Sequence, residues 1–108
     1  MNSSDKLYVL IRKDIPTGSQ IAQSVHGMRQ FSHAHPDLDH QWFHGSNTVV
    51  VLHVRDEMHL RKLHDKALTR GISCSVFFEP DLGDQPTCLV LAPMVQTRKL
   101  TSGLSLAR

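Results

Sequence analysis

The sequence predicts an α/β fold, built as a three-layer α/β/α sandwich around a four-stranded mixed sheet. Short apolar runs alternate with amphipathic segments, and turn residues separate the two kinds of segment. Continuous apolar runs are typical of strands that helices cover on both faces. Alternating strands and helices favour parallel pairing, whereas a short link between the last two strands allows an antiparallel partner.

Four segments carry the strand pattern. The first, Leu7–Ile11, is uninterrupted apolar sequence and leads directly into the charged residues Arg12, Lys13 and Asp14. The remaining three are expected at 48–54, 72–78 and 87–91, and a turn containing Pro80 and Gly83 precedes the last of them. Charge therefore gathers where the first strand ends.

The segment 19–32 has the period of a helix. Its apolar residues recur on one side: Ile21, Val25 and Met28. Its polar residues gather on another side: Ser19, Gln23, His26 and Gln30.

Three further helices are predicted, a short one within 33–45, a longer one over 56–70 and a last one around 95–100. The second of these is the clearest, because the acids Asp56 and Glu57 open it and Gly71 follows it, as helix termini favour. Beyond about Thr101 we expect a loose tail.

The composition limits the classes of protein. A chain of 108 residues fits one domain over 1–108, and 40% hydrophobic with 20% charged residues is typical of a globular protein. No apolar run approaches the roughly 18 residues that cross a bilayer, and Met1–Lys6 is too polar for a secretory signal. We expect no membrane partner, a cytoplasmic location, and packed thiols at Cys74 and Cys88. The net charge of +2 allows an RNA partner without requiring one.

Three segments, taken in order, carry a recognisable pattern. They are Arg12–Ile15 with Ile21–His26, then Val54–Glu57, and finally Asp81–Gly83 followed by Thr87 and a strand that ends Leu91–Pro93. The first is similar to an R-x-D-L turn and the helix after it, and the second to a V-x-D-E helix start. The third is similar to a D-A-G-x-T ending. Together they resemble the archaeal and eukaryotic type of peptidyl-tRNA hydrolase.

The resemblance implies the family's fold and its activity, hydrolysis of the ester between a peptide or N-blocked amino acid and the 3′ ribose of tRNA. It implies the 3′ end of peptidyl-tRNA as partner, with no cofactor and no metal. Because so small a domain buries little surface, we also expect a homodimer. The family usually has a longer, lysine-rich turn before the first helix, whereas Pro16–Gln20 is shorter and has no lysine.

Ester hydrolysis requires an oriented water, a group that takes its proton, and donors for the oxyanion. By the resemblance, Asp81 orients or activates the water and Thr87 offers a hydroxyl. We add His26 as an acid–base group and Lys13 as a replacement for the missing cation. The structural alternatives are a turn residue for Asp81, a strand start for Thr87, a packed helix histidine for His26 and a solvated strand end for Lys13.

Substrate-binding roles are expected for Arg12, Asp14, Gln23 and Arg29. Ligands in α/β proteins bind beyond the carboxyl ends of parallel strands. Lys13 and Asp14 follow the first strand, and Asp81 follows the third. We therefore expect them to line a single cleft together with His26.

Two rival functions remain open. The fold could serve as a non-catalytic module that binds a tRNA end or a protein, or as an esterase for a smaller acyl ester. A metal site is less favoured, because His33, His35, His40 and His44 have no carboxylate or cysteine at organised spacing. Trp42 and Phe43 could stack on an RNA base, although the apolar side of a short helix is the favoured interpretation.

Overall fold

The computed structural model describes residues 5–108, and the helices and strands alternate in it as the sequence predicts. The strands are β1 (Leu7–Arg12), β2 (Val49–Val54), β3 (Cys74–Glu79) and β4 (Gln85–Leu91). The helices are α1 (Thr17–Ala34), α2 (Pro36–His44), α3 (Glu57–Thr69) and α4 (Val95–Thr101), and a short 3-10 turn covers Pro80–Leu82.

The four strands form one mixed sheet in the order β2-β1-β4-β3. Strands β1 and β2 pair in parallel, and β4 pairs antiparallel with both β1 and β3. Three strands therefore run in one direction and β4 runs against them. The predicted α/β class and mixed sheet are confirmed.

Apolar side chains from alternate strand positions form a core on each face of the sheet. On one face Val9 and Ile11 pack with Phe31 of α1 and Trp42 of α2. On the other face Leu10 belongs to a cluster with residues of α3, and Leu100 of α4 packs against it. Helices cover both faces, which gives the predicted three layers.

The buried face of α1 is not the side on which all of its apolar residues recur. Ile21 and Val25 are 63% and 58% exposed, whereas Gln23, Gly27 and Phe31 are buried, and Met28 packs at the border of the core. The buried positions recur every four residues, so they lie on one side of the helix. Apolar character alone therefore does not mark the buried face of this helix.

Gly27 explains how this side of α1 lies so close to β4. A Cβ atom at position 27 would overlap the Sγ of Cys88 and would lie 3.2 Å from both the Cβ of Cys88 and the Cγ2 of Val90. Only glycine fits this approach without displacing the helix. The contact brings the buried Gln23, one turn earlier, against the start of β4.

The C-terminal residues pair with the outer edge of β2, although the sequence predicts a loose tail beyond about Thr101. His53 donates its backbone N–H to Ser105 O at 2.9 Å, and Ala107 donates its own to Val51 O at 2.9 Å. These bonds give partners to an edge strand that would otherwise present free backbone groups. The tail is therefore held in place by the backbone of β2.

The aromatic pair of α2 is divided between core and surface. Trp42 is buried and donates its indole N–H to Thr48 O at 2.9 Å, while Phe43 is 58% exposed.

Within residues 5–108, no helix combines the length and apolar character that a membrane crossing would need.

Both cysteines are free thiols, half-buried at position 74 and buried at position 88. Burial raises the pKa of Cys88 to about 12, and burial also raises the pKa of Cys74. Both side chains therefore stay protonated near neutral pH, as packed thiols do.

Gly27→Ala is expected to lower the free energy of unfolding by about 1–3 kcal/mol, because the added methyl group overpacks the contact with β4. Urea denaturation measures the change. Gly18→Ala is the matched control, since nothing lies within 4 Å of a Cβ there. A Cys88→Ala change added to Gly27→Ala should recover part of the loss, because it removes the overlapped sulfur atom. Equal stability of the two alanine variants would contradict the close contact.

Candidate active site

The carboxyl ends of β1, β2 and β3 meet at one edge of the sheet, where β4 begins. Lys13 follows β1, Arg55 follows β2, and Asp81 lies in the turn after β3. This is the edge at which α/β proteins bind ligands. The predicted site residues gather around it in three separate groups.

Arg12 lies at the centre of the first group. Its Nε and Nη2 donate to the two carboxylate oxygens of Asp14 at 2.9 and 2.8 Å. Its Nη1 donates to Gln85 Oε1 at 2.9 Å and to Pro86 O at 3.2 Å. The buried guanidinium thus joins the end of β1 to the start of β4.

The Arg12–Asp14 pair has a definite charge state. The hydrogen bonds from Arg12 hold the pKa of the Asp14 carboxyl below its ordinary value, and the same contact raises the pKa of Arg12. Both groups are therefore ionised near neutral pH and largely neutralise each other. Neither is a free charge for a substrate in this arrangement.

A β-bulge sets the position of Thr87. Phe77 pairs with Cys88 while Phe78 pairs with Pro86, which leaves Thr87 as the extra residue of β4. A bulge re-aims a side chain that regular pairing would send to the other face. The Thr87 side chain consequently points beneath α1, where it is fully buried.

Thr87 and Gln23 form a buried hydrogen-bonded pair. The Thr87 hydroxyl donates to Gln23 Oε1 at 2.8 Å, and the next acceptor, Phe77 O, lies at 3.5 Å. Gln23 is 5% exposed, so its amide lies inside the protein and not on the helix surface. The hydroxyl proton of Thr87 is committed to the protein, while its oxygen lone pairs retain the capacity to accept.

Asp81 belongs to the second group, the exposed turn between β3 and β4. The 3-10 turn closes through a bond from Gly83 N to Pro80 O at 3.2 Å, and Gly83 adopts the left-handed conformation at φ 65°. The Asp81 carboxylate receives no hydrogen bond from any other described residue and is exposed. The alternative role, a side chain that bonds its own loop, is not seen in this conformation.

His26 lies over β3. Its ring stacks on Phe77 with centroids 4.8 Å apart and planes inclined by 6°. The side chain is exposed, because this face of α1 borders the outer strand of the sheet. His26 is thus close to the bulge that carries Thr87 and remains accessible to solvent.

Lys13 belongs to the third group, on the β2 side of the edge. It lines a pocket of about 340 Å³ with Arg55, His53 and His59, and residues 103–106 and 108 complete the wall. Asp81, Thr87 and His26 are not among the residues that line it. The structure therefore does not bring Lys13 into one cleft with the other proposed catalytic residues.

The sequence reasoning did not single out Arg55, His53 and His59. Arg55 lies inside the V-R-D-E tract, and His59 follows it by four residues at the start of a helix. Proximity of these side chains to Lys13 depends on the parallel register of β1 and β2. A scan for cations at the ends of neighbouring parallel strands would have found them.

The remaining predicted residues lie apart from these groups. Arg29 is an exposed residue of α1 with no ion pair among the described residues. His40 and His44 do share a helix face, with ring centroids 4.4 Å apart. No group of three or more potential metal ligands converges within residues 5–108.

The fold and this edge define a small mixed α/β protein with an exposed carboxylate in the β3–β4 turn and a buried threonine–glutamine pair beneath α1. The family model of peptidyl-tRNA hydrolase PTH2 matches residues 5–107, and the chain belongs to that family. By its description the family acts on peptidyl-tRNA, and the resemblance read from the sequence is confirmed.

A solved structure supports the fold independently. A protein of unknown function from Agrobacterium tumefaciens strain C58 is similar over 97% of this chain and 98% of its own, with a TM-score of 0.72 and 20% identity. At that identity the likeness concerns the fold alone. Among curated proteins, none matches this chain.

Thr87→Val is expected to lower the free energy of unfolding by about 1–3 kcal/mol, because it leaves the buried Gln23 oxygen without its donor. Thr87→Ser keeps the hydroxyl and should cost less. A double variant, Gln23→Met with Thr87→Val, should be more stable than Thr87→Val alone, since both polar partners are then removed. Equal unfolding midpoints for Val and Ser at position 87 would argue against the pair.

Asp14→Asn is expected to make stability less sensitive to acid. Because the folded pKa of Asp14 is lowered, its contribution is fully present above the ordinary value of 3.8 and is lost as pH falls through the lowered folded value. Melting temperatures between pH 7 and pH 2 should fall less steeply for Asp14→Asn than for the unaltered chain. Parallel curves would contradict a role for the Arg12–Asp14 pair.

Proposed function

We propose that this protein hydrolyses the ester between a peptide, or an N-blocked amino acid, and the 3′ ribose of tRNA. The observation that carries the proposal is the family match over residues 5–107. The exposed carboxylate at the carboxyl edge of the sheet adds chemical support, because such a group can accept a proton from water. No metal or cofactor is required for this chemistry.

In the proposed reaction, Asp81 is the general base. A water molecule bound to its carboxylate attacks the ester carbonyl carbon while one water proton passes to Asp81. The tetrahedral intermediate then collapses and the bond to the ribose oxygen breaks. The departing ribose oxygen takes the proton from Asp81 and becomes a hydroxyl. The absence of a hydrogen bond to Asp81 from the described residues leaves both carboxylate oxygens available for this step.

Thr87 and His26 are proposed to assist near Asp81. The Thr87 hydroxyl already donates to Gln23, so its oxygen can serve only as an acceptor for the attacking water, and Gln23 fixes its orientation. His26 is exposed above Phe77 and can exchange protons with the leaving hydroxyl. These roles depend on substrate closing the distance between α1 and the β3–β4 turn.

Because Lys13 lies apart from Asp81, it is proposed to contact a phosphate near the 3′ end of the RNA and not the oxyanion, with Arg29 as a further contact for the RNA backbone. Arg12 and Asp14 are proposed to act on the substrate indirectly. Their mutual pairing, and the bonds from Arg12 to Gln85 and Pro86, hold the strand that follows the Asp81 turn.

A non-catalytic module that binds a tRNA end is the second candidate. It is favoured by two observations, the inward hydrogen bond that commits the Thr87 proton to Gln23 and the lack of lysine in Pro16–Gln20. Turnover separates the two functions.

Homodimer formation and a cytoplasmic location remain predictions.

Asp81→Asn is expected to reduce kcat for N-blocked aminoacyl-tRNA by about 10²- to 10⁴-fold, since the amide cannot take a proton from water. Release of the blocked amino acid from radiolabelled substrate measures the rate. Asp84→Asn is the matched control in the same turn, because Asp84 has φ 59° and asparagine tolerates that conformation.

Three outcomes are decisive for this assay. Loss of turnover in Asp81→Asn alone supports the proposed base. Unchanged turnover in both variants overturns the role of Asp81. A chain free of contaminating hydrolase that binds tRNA and leaves the ester intact overturns the enzymatic function itself.

A further inference from the structure

The pocket at the carboxyl ends of β1 and β2 has no part in the proposed proton transfer. It measures about 340 Å³, and its lining includes five residues with basic side chains: Lys13, His53, Arg55, His59 and Arg108. We propose that this pocket binds a backbone phosphate of the RNA substrate, with Arg55 as its main cation. The identity of the RNA as substrate rests on the function proposed above, whereas the charge argument comes from the pocket itself.

The cations of the pocket have no acidic partner in the described part of the chain. None of the ion pairs there includes Lys13, Arg55 or Arg108. Of the two neighbouring acids, Glu57 pairs with Arg61 at 2.8 Å, and Asp56 accepts a hydrogen bond from His59 N at 2.9 Å. Asp56 remains a nearby negative charge, but the cations outnumber it, so an anion in the pocket would meet net positive charge.

The two histidines have fixed hydrogen-bonding roles. His59 Nδ1 accepts the backbone N–H of Arg55 at 2.9 Å, so the proton of its neutral ring lies on Nε2. Gln20 donates its amide to Ile15 O at 2.8 Å and turns its oxygen to His53 Nε2 at 2.7 Å. His53 Nε2 is therefore a donor and its Nδ1 is left for another partner. His59 Nε2 is a donor in either protonation state, as a phosphate oxygen requires.

The electrostatic field around His59 is positive on balance. Burial lowers its pKa first, and Arg55 lowers it further, with smaller contributions in the same direction from Lys62 and Lys66. Asp56 acts in the opposite direction. Lys13 and His53 also line the pocket and add no negative charge. A bound phosphate would stabilise the protonated ring and raise the pKa of His59.

The position of the pocket identifies which phosphate it takes. Between β2 and β3 lie three strand spacings, or about 14 Å, so Arg55 is remote from the Asp81 turn. A phosphate there belongs to a nucleotide upstream of the reacting ribose. Such a contact fixes the register of the RNA end and affects binding more than the chemical step.

The experiment compares Arg55→Gln with Arg70→Gln, which removes the same charge at the far end of α3. Binding of deacylated tRNA is measured by fluorescence anisotropy over a series of salt concentrations. Arg55→Gln should weaken binding and lower the slope of log affinity against log salt by about 0.7, the loss of one single-strand phosphate contact. Arg70→Gln should leave both quantities unchanged.

A second readout reports on the pocket directly. In the unaltered chain, the pKa of His59 followed by NMR should rise when deacylated tRNA is added. A cation elsewhere on the surface would not produce this rise. An unchanged His59 pKa in saturating tRNA, or no binding of tRNA at all, overturns the phosphate site.

The outcome is separable from that of the proposed function. If the chain hydrolyses N-blocked aminoacyl-tRNA, Arg55→Gln should raise KM and leave kcat near its original value. If hydrolysis is seen but both glutamine variants behave alike in affinity, salt slope and KM, the phosphate site fails while the function stands. If no hydrolysis is seen and Arg55→Gln alone weakens tRNA binding, the site stands while the function fails.

Discussion

The close approach of α1 to β4 at Gly27 is the contact on which the arrangement of the site depends. Because no side chain separates helix and strand there, Gln23 reaches the hydroxyl of Thr87 one turn earlier in the helix. The bulge in β4 is also needed for this hydrogen bond, because it turns Thr87 toward the helix. The same rotation of α1 carries His26 over Phe77 and leaves Ile21 exposed. The absence of a side chain at position 27 thus determines which polar groups of α1 are buried and which face solvent.

Strand order along the chain and the shared edge of β1 and β3 could be read from the sequence, because continuous apolar runs and flanking turns are local signals. The side of α1 that is buried could not be predicted in this way. Its buried set contains a glutamine and a glycine, and both are explained only by β4, more than 60 residues later in the chain. The position of the C-terminal tail could not be predicted either, because its partners are backbone groups of β2, and backbone pairing leaves no pattern in the side chains.

At the carboxyl edge of the sheet, ion pairing decides which charges are neutralised, and closeness in sequence does not. Arg12 and Asp14 neutralise each other and tie β1 to β4. Lys13, between them in sequence, lies on the other side and keeps its charge available beside Arg55. The sequence Arg12-Lys13-Asp14 therefore separates into one structural pair and one cation that has no ion pair within residues 5–108. Alternation of side chains at the end of a strand accounts for this division.

The pairing of residues 105–107 with β2 gives the basic pocket one of its walls. Without it, Arg55 and His59 would lie on an open strand end, where exposed cations hold an anion only weakly. With Leu104 and Leu106 in the wall, the cations lie around one concavity, in which several of them can face the same anion. The tail that lacks any functional motif is thus what converts a row of surface charges into a candidate binding site.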